Sequence, residues 1–143
     1  MQTFLPYDDF ERSAKSLDYR RLGKQRVECL QILNTIFTPN RKAWQNHPAV
    51  NMWRGYENAL CRYGMVISQE WINRGYNDNC FWKFFGMLDP GKLDCDGFVI
   101  YPPWLGGEIH ETHRSNLIRK NPAYYLPQFA NNTRPDLPYY WPV

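Results

Sequence analysis

The stretch from Asp18 to Glu28, Asp-Tyr-Arg-Arg-Leu-Gly-Lys-Gln-Arg-Val-Glu, combines four cations and two carboxylates within eleven residues. Its pattern predicts a helix, and at about 100° per residue one narrow face carries Arg21, Lys24, Gln25 and Glu28. A carboxylate set among cations indicates a site for an anionic ligand. An ordinary solvated face, with Lys24 and Glu28 as an i,i+4 ion pair, explains the same pattern equally well.

Two histidines further along the chain are also candidates for chemistry. His110 and His113 lie three residues apart beside Glu108 and Glu111. No third ligand is evident, so we predict no metal site. For His113, which precedes Arg114, a helix-capping or phosphate-facing role is expected.

A third histidine, His47, precedes Pro48 and is expected at a helix start, where capping competes with lining the site. The sequence contains no Ser/His/Asp nucleophile pattern, no glycine-rich phosphate loop and no Rossmann fingerprint. We therefore expect no nucleotide cofactor, and no other cofactor is predicted.

The elements that position these residues fit within one domain, because 143 residues can bury about two-thirds of their unfolded surface. The net charge of +3 is mild, so local clustering of cations indicates a polyanionic partner more than their total does. The chain has 6 Trp, 10 Tyr and 8 Phe. Some of these rings must pack the core, and the others can form a surface that stacks on nucleobases or on a protein partner.

Hydrophobic periodicity predicts an all-α, or mainly α, fold of about three main helices. Residues 76–107 are rich in Gly and Pro and should be mostly loop. The tail, 123–143, is rich in proline and aromatic residues and is predicted to form an extended strap over the helices. The predicted helices cover residues 9–16, 18–37, 48–74 and 108–120, with a short helical turn near 80–87.

The four cysteines form no C-x-x-C pair, which favours reduced thiols and a cytoplasmic location. No stretch reaches the roughly 18 apolar residues that a membrane span needs, and the N-terminus lacks a signal-peptide pattern. We therefore expect a protein that is neither secreted nor inserted in a membrane.

Three segments resemble the pyrimidine-dimer DNA glycosylase family typified by phage T4 endonuclease V. Leu-Asp-Tyr-Arg-Arg-Leu-Gly-Lys-Gln-Arg at 17–26 is similar to that family's first-helix block, and 47–77, ending Trp-Ile-Asn-Arg-Gly-Tyr-Asn, is similar to its long helix. Arg-Lys-Asn-Pro-Ala-Tyr-Tyr at 119–125 is similar to the family's Arg-Pro followed by aromatics. Bacterial and phage proteins identified as members also share Arg-Leu-Gly-Lys-Gln-Arg-Val-Glu and His-Pro-Ala-Val.

The resemblance implies an enzyme that repairs DNA through an amine. In this family the N-terminal α-amine attacks C1′ of the damaged nucleotide, releases the base and forms an imine. A glutamate on the first helix stabilises the sugar cation and assists strand cleavage by β-elimination. An α-amine ordinarily has a pKa of about 8, which leaves a neutral, nucleophilic fraction at cellular pH.

Two positions depart from the family pattern. Arg21 occupies the position of the family's glutamate, so the nearest replacement is Glu28, about two helical turns further along the same face. The family exposes a threonine amine after loss of the initiator methionine. Here Gln2 is too large for efficient removal of Met1, so the nucleophile is expected to be the amine of Met1.

We therefore predict a DNA glycosylase with AP-lyase activity that acts on damaged (pyrimidine-dimer-like) or modified pyrimidines in duplex DNA. Glu28 and Met1 are the predicted catalytic residues, and neither a membrane nor a protein partner is expected. For Tyr124 and Tyr125, stacking on the distorted duplex competes with core packing. The predicted nucleic-acid contacts are Arg20, Arg21, Lys24, Gln25, Arg26, His47, Arg54, His113, Arg114, Arg119, Lys120, Tyr124 and Tyr125.

Two other functions fit the sequence. A nucleic-acid-binding module that kept the scaffold and lost the chemistry would explain the arginine at the glutamate position. An interaction protein whose aromatic tail docks a partner predicts no salt-sensitive binding to DNA.

Overall fold

The computed structural model describes residues 1–94 and 96–143, which form seven α-helices, one 3-10 turn at Pro90–Lys92 and one isolated antiparallel bridge between Leu93 and Val99. The all-α class predicted from the sequence is confirmed. None of the helices in the described residues is both long and apolar enough to cross a membrane. The helices are α1 Phe10–Ser16, α2 Tyr19–Phe37, α3 Pro48–Asn51, α4 Glu57–Asn73, α5 Phe81–Met87, α6 Ile109–Lys120 and α7 Pro122–Phe129.

The helix starts follow local capping chemistry. Asp9 begins α1, and its Oδ1 accepts a hydrogen bond of 2.9 Å from the N–H of Arg12. His47 begins α3, and its Nδ1 accepts a hydrogen bond of 3.0 Å from the N–H of Ala49. Pro48 occupies the first helical position, where its missing N–H leaves no bond unmade. Of the two roles expected for His47, the structure therefore shows capping.

Helix α2 packs one face against α4 and presents the other to the site. The packed face carries Leu22, Cys29, Ile32 and Leu33, all fully buried. Gly23 makes the close approach to α4 possible, since a Cβ there would lie 2.8 Å from the ring of Trp71.

The continuous helix predicted over residues 48–74 is wrong, because the chain forms α3 and α4 with a turn between them. Gly55 adopts φ +85° in that turn, a left-handed conformation that ends helical geometry and suits glycine. The break lets the fully buried Trp53 stack on Tyr63, with the ring centroids 6.4 Å apart and the planes at 20°. Core packing of these rings therefore outweighs the local helical periodicity.

The extended tail predicted over 123–143 is also wrong in its first part, which forms α7. Asn121 caps this helix, and Tyr125 and Phe129, one turn apart, are buried with their rings stacked at 5.6 Å. Pro127 has no N–H, so α7 lacks only one backbone hydrogen bond at this position. Residues 130–143 form no helix or strand, and Tyr139 and Trp141 pack against the core.

The cysteines that the structure describes, Cys29, Cys61 and Cys80, are buried free thiols. Burial raises the pKa of Cys61 to about 12, so this thiol is a packing group and not a nucleophile. Cys95, whose thiol was also expected to be reduced, lies outside the described residues.

Candidate active site

The first residues of the chain are held more firmly than a terminus usually is. Thr3 and Leu5 are fully buried, and Gln2 and Phe4 are nearly so. Chain ends fray unless specific contacts fix them. Met1 therefore projects from an anchored segment.

Helix α2 anchors this segment through the side-chain amide of Gln25. Its Nε2 donates to the carbonyl of Gln2 and its Oε1 accepts from the N–H of Phe4, both at 2.9 Å. The same Oε1 accepts from the hydroxyl of Tyr63 on α4, and the same Nε2 donates to Oε2 of Glu28, again at 2.9 Å. A single buried amide thus fixes both the N-terminal segment and the carboxylate.

Helix α6 anchors the segment from the opposite side. Nδ1 of His113 accepts a 2.9 Å hydrogen bond from the N–H of Leu5, and Nδ1 of His110 donates to the carbonyl of Leu5 at 2.8 Å. Arg114 donates to the carbonyl of Pro6 at 2.7 Å. Burial, followed by the neighbouring His110, lowers the pKa of His113 to about 3, so His113 is neutral at neutral pH.

Met1 and Glu28 line the same cavity, which has a volume of about 850 Å³. Its long wall is α2, along which Asp18 and Glu28 are separated by about 15 Å of helix. The remaining wall comes from the N-terminal segment, His47, the junction of α6 and α7, and the tail. The other lining residues are Gln2, Phe4, Tyr19, Arg20, Arg21, Lys24, Gln25, Lys120, Asn121, Tyr124, Tyr139 and Trp141.

Glu28 lies at one end of the cavity and is only 8% exposed. Its Oε2 accepts the hydrogen bond from Gln25, and its Oε1 lies 3.6 Å from Nζ of Lys24, whose side chain is 74% exposed. One oxygen is therefore fixed, while the other is paired only with a solvated and mobile cation. Such a carboxylate can meet a developing positive charge without first breaking a buried ion pair.

His47 lines the cavity together with Met1 and Glu28. Burial lowers the pKa of His47, and the positive charge of the Met1 ammonium lowers it further. Because Nδ1 of His47 accepts from Ala49, the proton of the neutral ring lies on Nε2. An amine, a carboxylate and a neutral imidazole therefore line one cavity.

The other end of the cavity begins at the start of α2. Asp18 is bound by the hydroxyl of Tyr125 and pairs with Arg21, whose Nη1 lies 3.2 Å from its Oδ1. Arg20, Lys120 and Tyr124 are solvent-exposed on this part of the lining. Exposed cations and rings around an opening suit the phosphates and bases of a nucleic acid.

The structure brings nine of the predicted site residues to the cavity lining and leaves six elsewhere. Arg26 pairs with Asp78 at 2.6 Å and lies over the ring of Trp71, on a different face of α2. His113 is fully buried, so it cannot reach a phosphate without opening the core. The nine are Met1, Arg20, Arg21, Lys24, Gln25, Glu28, His47, Lys120 and Tyr124.

The other four predicted contacts that are absent from the lining act within the fold. Arg54 braces the backbone and side chain of Gln45. Arg119 donates to the carbonyls of Pro135 and Leu137 and so holds the tail. Arg114 binds Pro6 as described, and Tyr125 is a fully buried core ring.

Sequence reasoning missed the tail's part in the site. Tyr139 and Trp141 line the cavity because the tail folds back along α6, where the hydroxyl of Ser115 accepts from the N–H of Leu137 at 2.9 Å. The only sequence signal was the concentration of rings in the last residues. It indicated a covering segment but not what that segment covers.

Residues 1–84 match the family model for pyrimidine dimer DNA glycosylase. The match covers more than half of the chain, and this chain belongs to that family, whose members are DNA repair proteins that act on DNA. The matched part contains Met1, Arg21, Glu28 and His47, whereas α6, α7 and the tail lie beyond it. No curated protein and no solved structure matches the chain.

Proposed function

We propose that this glycosylase excises a damaged pyrimidine from duplex DNA through an imine formed by the α-amine of Met1, and then cleaves the strand as an AP lyase. The observation that carries the proposal is the anchored N-terminal segment, which holds Met1 in the cavity that Glu28 lines. An ordered amine beside an ordered carboxylate is what such chemistry requires.

In the first step the lone pair of the Met1 amine forms a bond to C1′ of the target nucleotide. The bond from C1′ to the base nitrogen breaks, and its electron pair leaves with the base. The carboxylate of Glu28 stabilises the positive charge that develops on the sugar, because it lies in a largely dry site where charges act strongly. One proton of the attacking nitrogen is taken up by the departing base through solvent. The C1′–O4′ bond then breaks as the nitrogen forms the imine, and O4′ takes up the second proton of the nitrogen.

In the second step the imine makes the hydrogens on C2′ acidic. Glu28 accepts one of these protons, and the electron pair left behind expels the 3′ phosphate by β-elimination. Hydrolysis of the imine then frees the Met1 amine. One carboxylate can serve both steps because the first step, as written, transfers no proton to it.

The exposed cations of the cavity lining, Arg20, Lys24 and Lys120, are placed to hold the phosphates on either side of the target nucleotide. Arg21, which replaces the family's glutamate, is less exposed and already paired with Asp18. We propose that Arg21 binds the phosphate next to the reacting sugar, since Arg21 also lines the cavity.

The test is reductive trapping with sodium borohydride on a duplex that carries either an abasic site or a cyclobutane thymine dimer. An imine-forming enzyme gives a covalent protein–DNA adduct with both probes. Peptide mapping of the adduct should place the sugar on the N-terminal peptide, at the nitrogen of Met1. Absence of an adduct with the abasic duplex, at protein concentrations that bind it, would leave the binding module as the function.

Glu28→Gln should lower the single-turnover rate on the dimer duplex by about 100-fold or more while DNA affinity changes little, because the amide keeps the shape and loses the charge. Glu70→Gln is the matched control. Glu70 is also a largely buried helical carboxylate in an i,i+4 ion pair, with Arg74, but it lies outside the cavity lining. Equal activity of the two variants would remove Glu28 from the mechanism.

A further inference from the structure

Trp44 lies in the loop between α2 and α3 and is 58% exposed. Its φ is +67°, and among the described residues it is the one non-glycine residue with a positive φ. A bulky side chain in this conformation is strained, and such strain persists only where the surroundings impose it. It is also outside the packed core cluster, so core burial does not account for it.

The neighbouring residue, Gln45, holds this part of the loop through hydrogen bonds. Its Nε2 donates to the carbonyls of Thr35 and Thr38, at 2.8 and 3.0 Å, and so ties the loop to the end of α2. Arg54 donates to the backbone carbonyl and to Oε1 of Gln45, at 2.7 and 2.9 Å. The N–H of His47 bonds the carbonyl of Trp44 at 3.0 Å. These hydrogen bonds fix the loop to the end of α2 and to Arg54, while the indole of Trp44 stays exposed to solvent.

The indole stands beside the reaction centre. Its ring contacts that of His47, with the centroids 5.7 Å apart, and His47 lines the cavity and senses the charge of the Met1 ammonium. Two exposed cations, Arg41 and Lys42, precede it in the same loop. Cations next to a projecting ring suit a surface of phosphates and stacked bases.

We propose that Trp44 inserts into the base stack beside the target nucleotide and fills space that opens there when the duplex is distorted around the lesion. This inference rests on the proposed function. Taking a nucleotide out of a duplex costs stacking energy, and an aromatic side chain that stacks in its place recovers part of that energy. A wedge must be rigid and exposed before DNA arrives, which accounts for the bracing of the loop and the strain at Trp44.

The test compares Trp44→Gly and Trp44→Phe with Trp82→Ala, a control at a still more exposed tryptophan of α5 that lies outside the cavity lining. Two probes are used: a duplex with a cyclobutane thymine dimer, and a single strand with an abasic site, which has no stack to open. Trp44→Gly should lose about 10- to 100-fold in single-turnover rate on the duplex. On the single strand, the rate at which Trp44→Gly is trapped should be within about twofold of the rate for the unchanged protein. On the duplex, the single-turnover rate of Trp44→Phe should lie between those of Trp44→Gly and the unchanged protein.

The unfolding temperature of Trp44→Gly distinguishes a wedge from a residue that stabilises the fold. Glycine is favoured at a positive φ, so Trp44→Gly should unfold at the same temperature as the unchanged protein or at a higher one. Earlier unfolding, or undiminished activity on the duplex, would overturn the wedge. If the unchanged protein is trapped on neither the single-stranded abasic site nor the abasic duplex, the proposed function fails and the wedge fails with it.

Discussion

Gln25 connects the N-terminal segment, α2 and α4 through one buried amide whose four hydrogen bonds are each 2.9 Å long. Both of its polar atoms are used twice, so no substitution of similar size can replace it. A leucine would fill the space but leave the polar groups of Gln2, Phe4, Tyr63 and Glu28 without this partner. The cost of leaving buried polar groups unpaired is about 1–3 kcal/mol each.

Gln25→Leu should therefore lower the free energy of unfolding by about 2–4 kcal/mol and release the first residues of the chain. The measurement is digestion by an aminopeptidase, followed by mass spectrometry, alongside urea unfolding. Gln31→Leu, at an exposed position of the same helix, is the control and should stay resistant. A Gln25→Leu protein as resistant as this control would show that the terminus is held without the amide.

Part of this site was predictable from residues alone. The helical period placed Arg21, Lys24, Gln25 and Glu28 on one face of α2, and all four line the cavity. Their burial was not predictable, because Gln25 and Glu28 are covered by a terminus whose other anchors lie far away in the sequence, at His113. The N-terminal segment, α2 and His113 come together only in the folded chain.

At the scale of elements, the contact between α4 and α5 depends on a glycine. A Cβ at Gly64 would lie 2.5 Å from the ring of Phe84, which is fully buried and has no room to withdraw. A Cβ at Gly86, on α5, would have no neighbouring atom within 4 Å, so a substitution there tests helix propensity without a clash. Alanine substitutions at Gly64 and Gly86 therefore separate the cost of overpacking from the gain in helix propensity.

Gly64→Ala should lower the free energy of unfolding by about 1–3 kcal/mol, because the overpacking outweighs the better helix propensity of alanine. Gly86→Ala should leave it unchanged or raise it by up to about 1 kcal/mol. Chemical denaturation monitored by circular dichroism gives both values. Stabilisation by Gly64→Ala would mean that the two helices can move apart at little cost.

Helix boundaries were predictable where local chemistry decides them and not where packing does. Asp9, His47 with Pro48, and Gly75 mark real ends, the last with φ +94°. The break at Gly55 was missed because the apolar period continues through it, and only the stacking of Trp53 in the core requires the turn. Helix α7 was missed because Pro127 is typical of an extended chain.

At the scale of the whole molecule, two buried histidines make the fold sensitive to acid. Burial lowers the pKa of His113 to about 3 and also lowers that of His110, against an ordinary value of 6.5 in the unfolded chain. Below pH 6.5 the unfolded chain therefore binds protons that the folded chain does not. Their contribution to stability is complete above about pH 6.5 and is lost progressively as the pH falls toward 3.

At pH 5 the loss from His113 alone should be about 2 kcal/mol, and the thermal midpoint should fall by several degrees between pH 7.5 and pH 5. His113→Asn keeps an acceptor for the N–H of Leu5 but cannot take up a proton. This variant should be less stable at pH 7.5 and less dependent on pH. Circular dichroism melts at the two pH values give the comparison, and equal pH dependence in both proteins would contradict the assignment.

The bonds that link Leu5 with His113 and Pro6 with Arg114 each span 108 residues. During synthesis on the ribosome the first residues emerge long before these partners exist, and closing so large a loop is slow. The N-terminal segment of the nascent chain therefore leaves the ribosome before the residues that fix it have been made. The Met1 amine, which we propose as the nucleophile, becomes ordered in its cavity only when most of the chain has been translated.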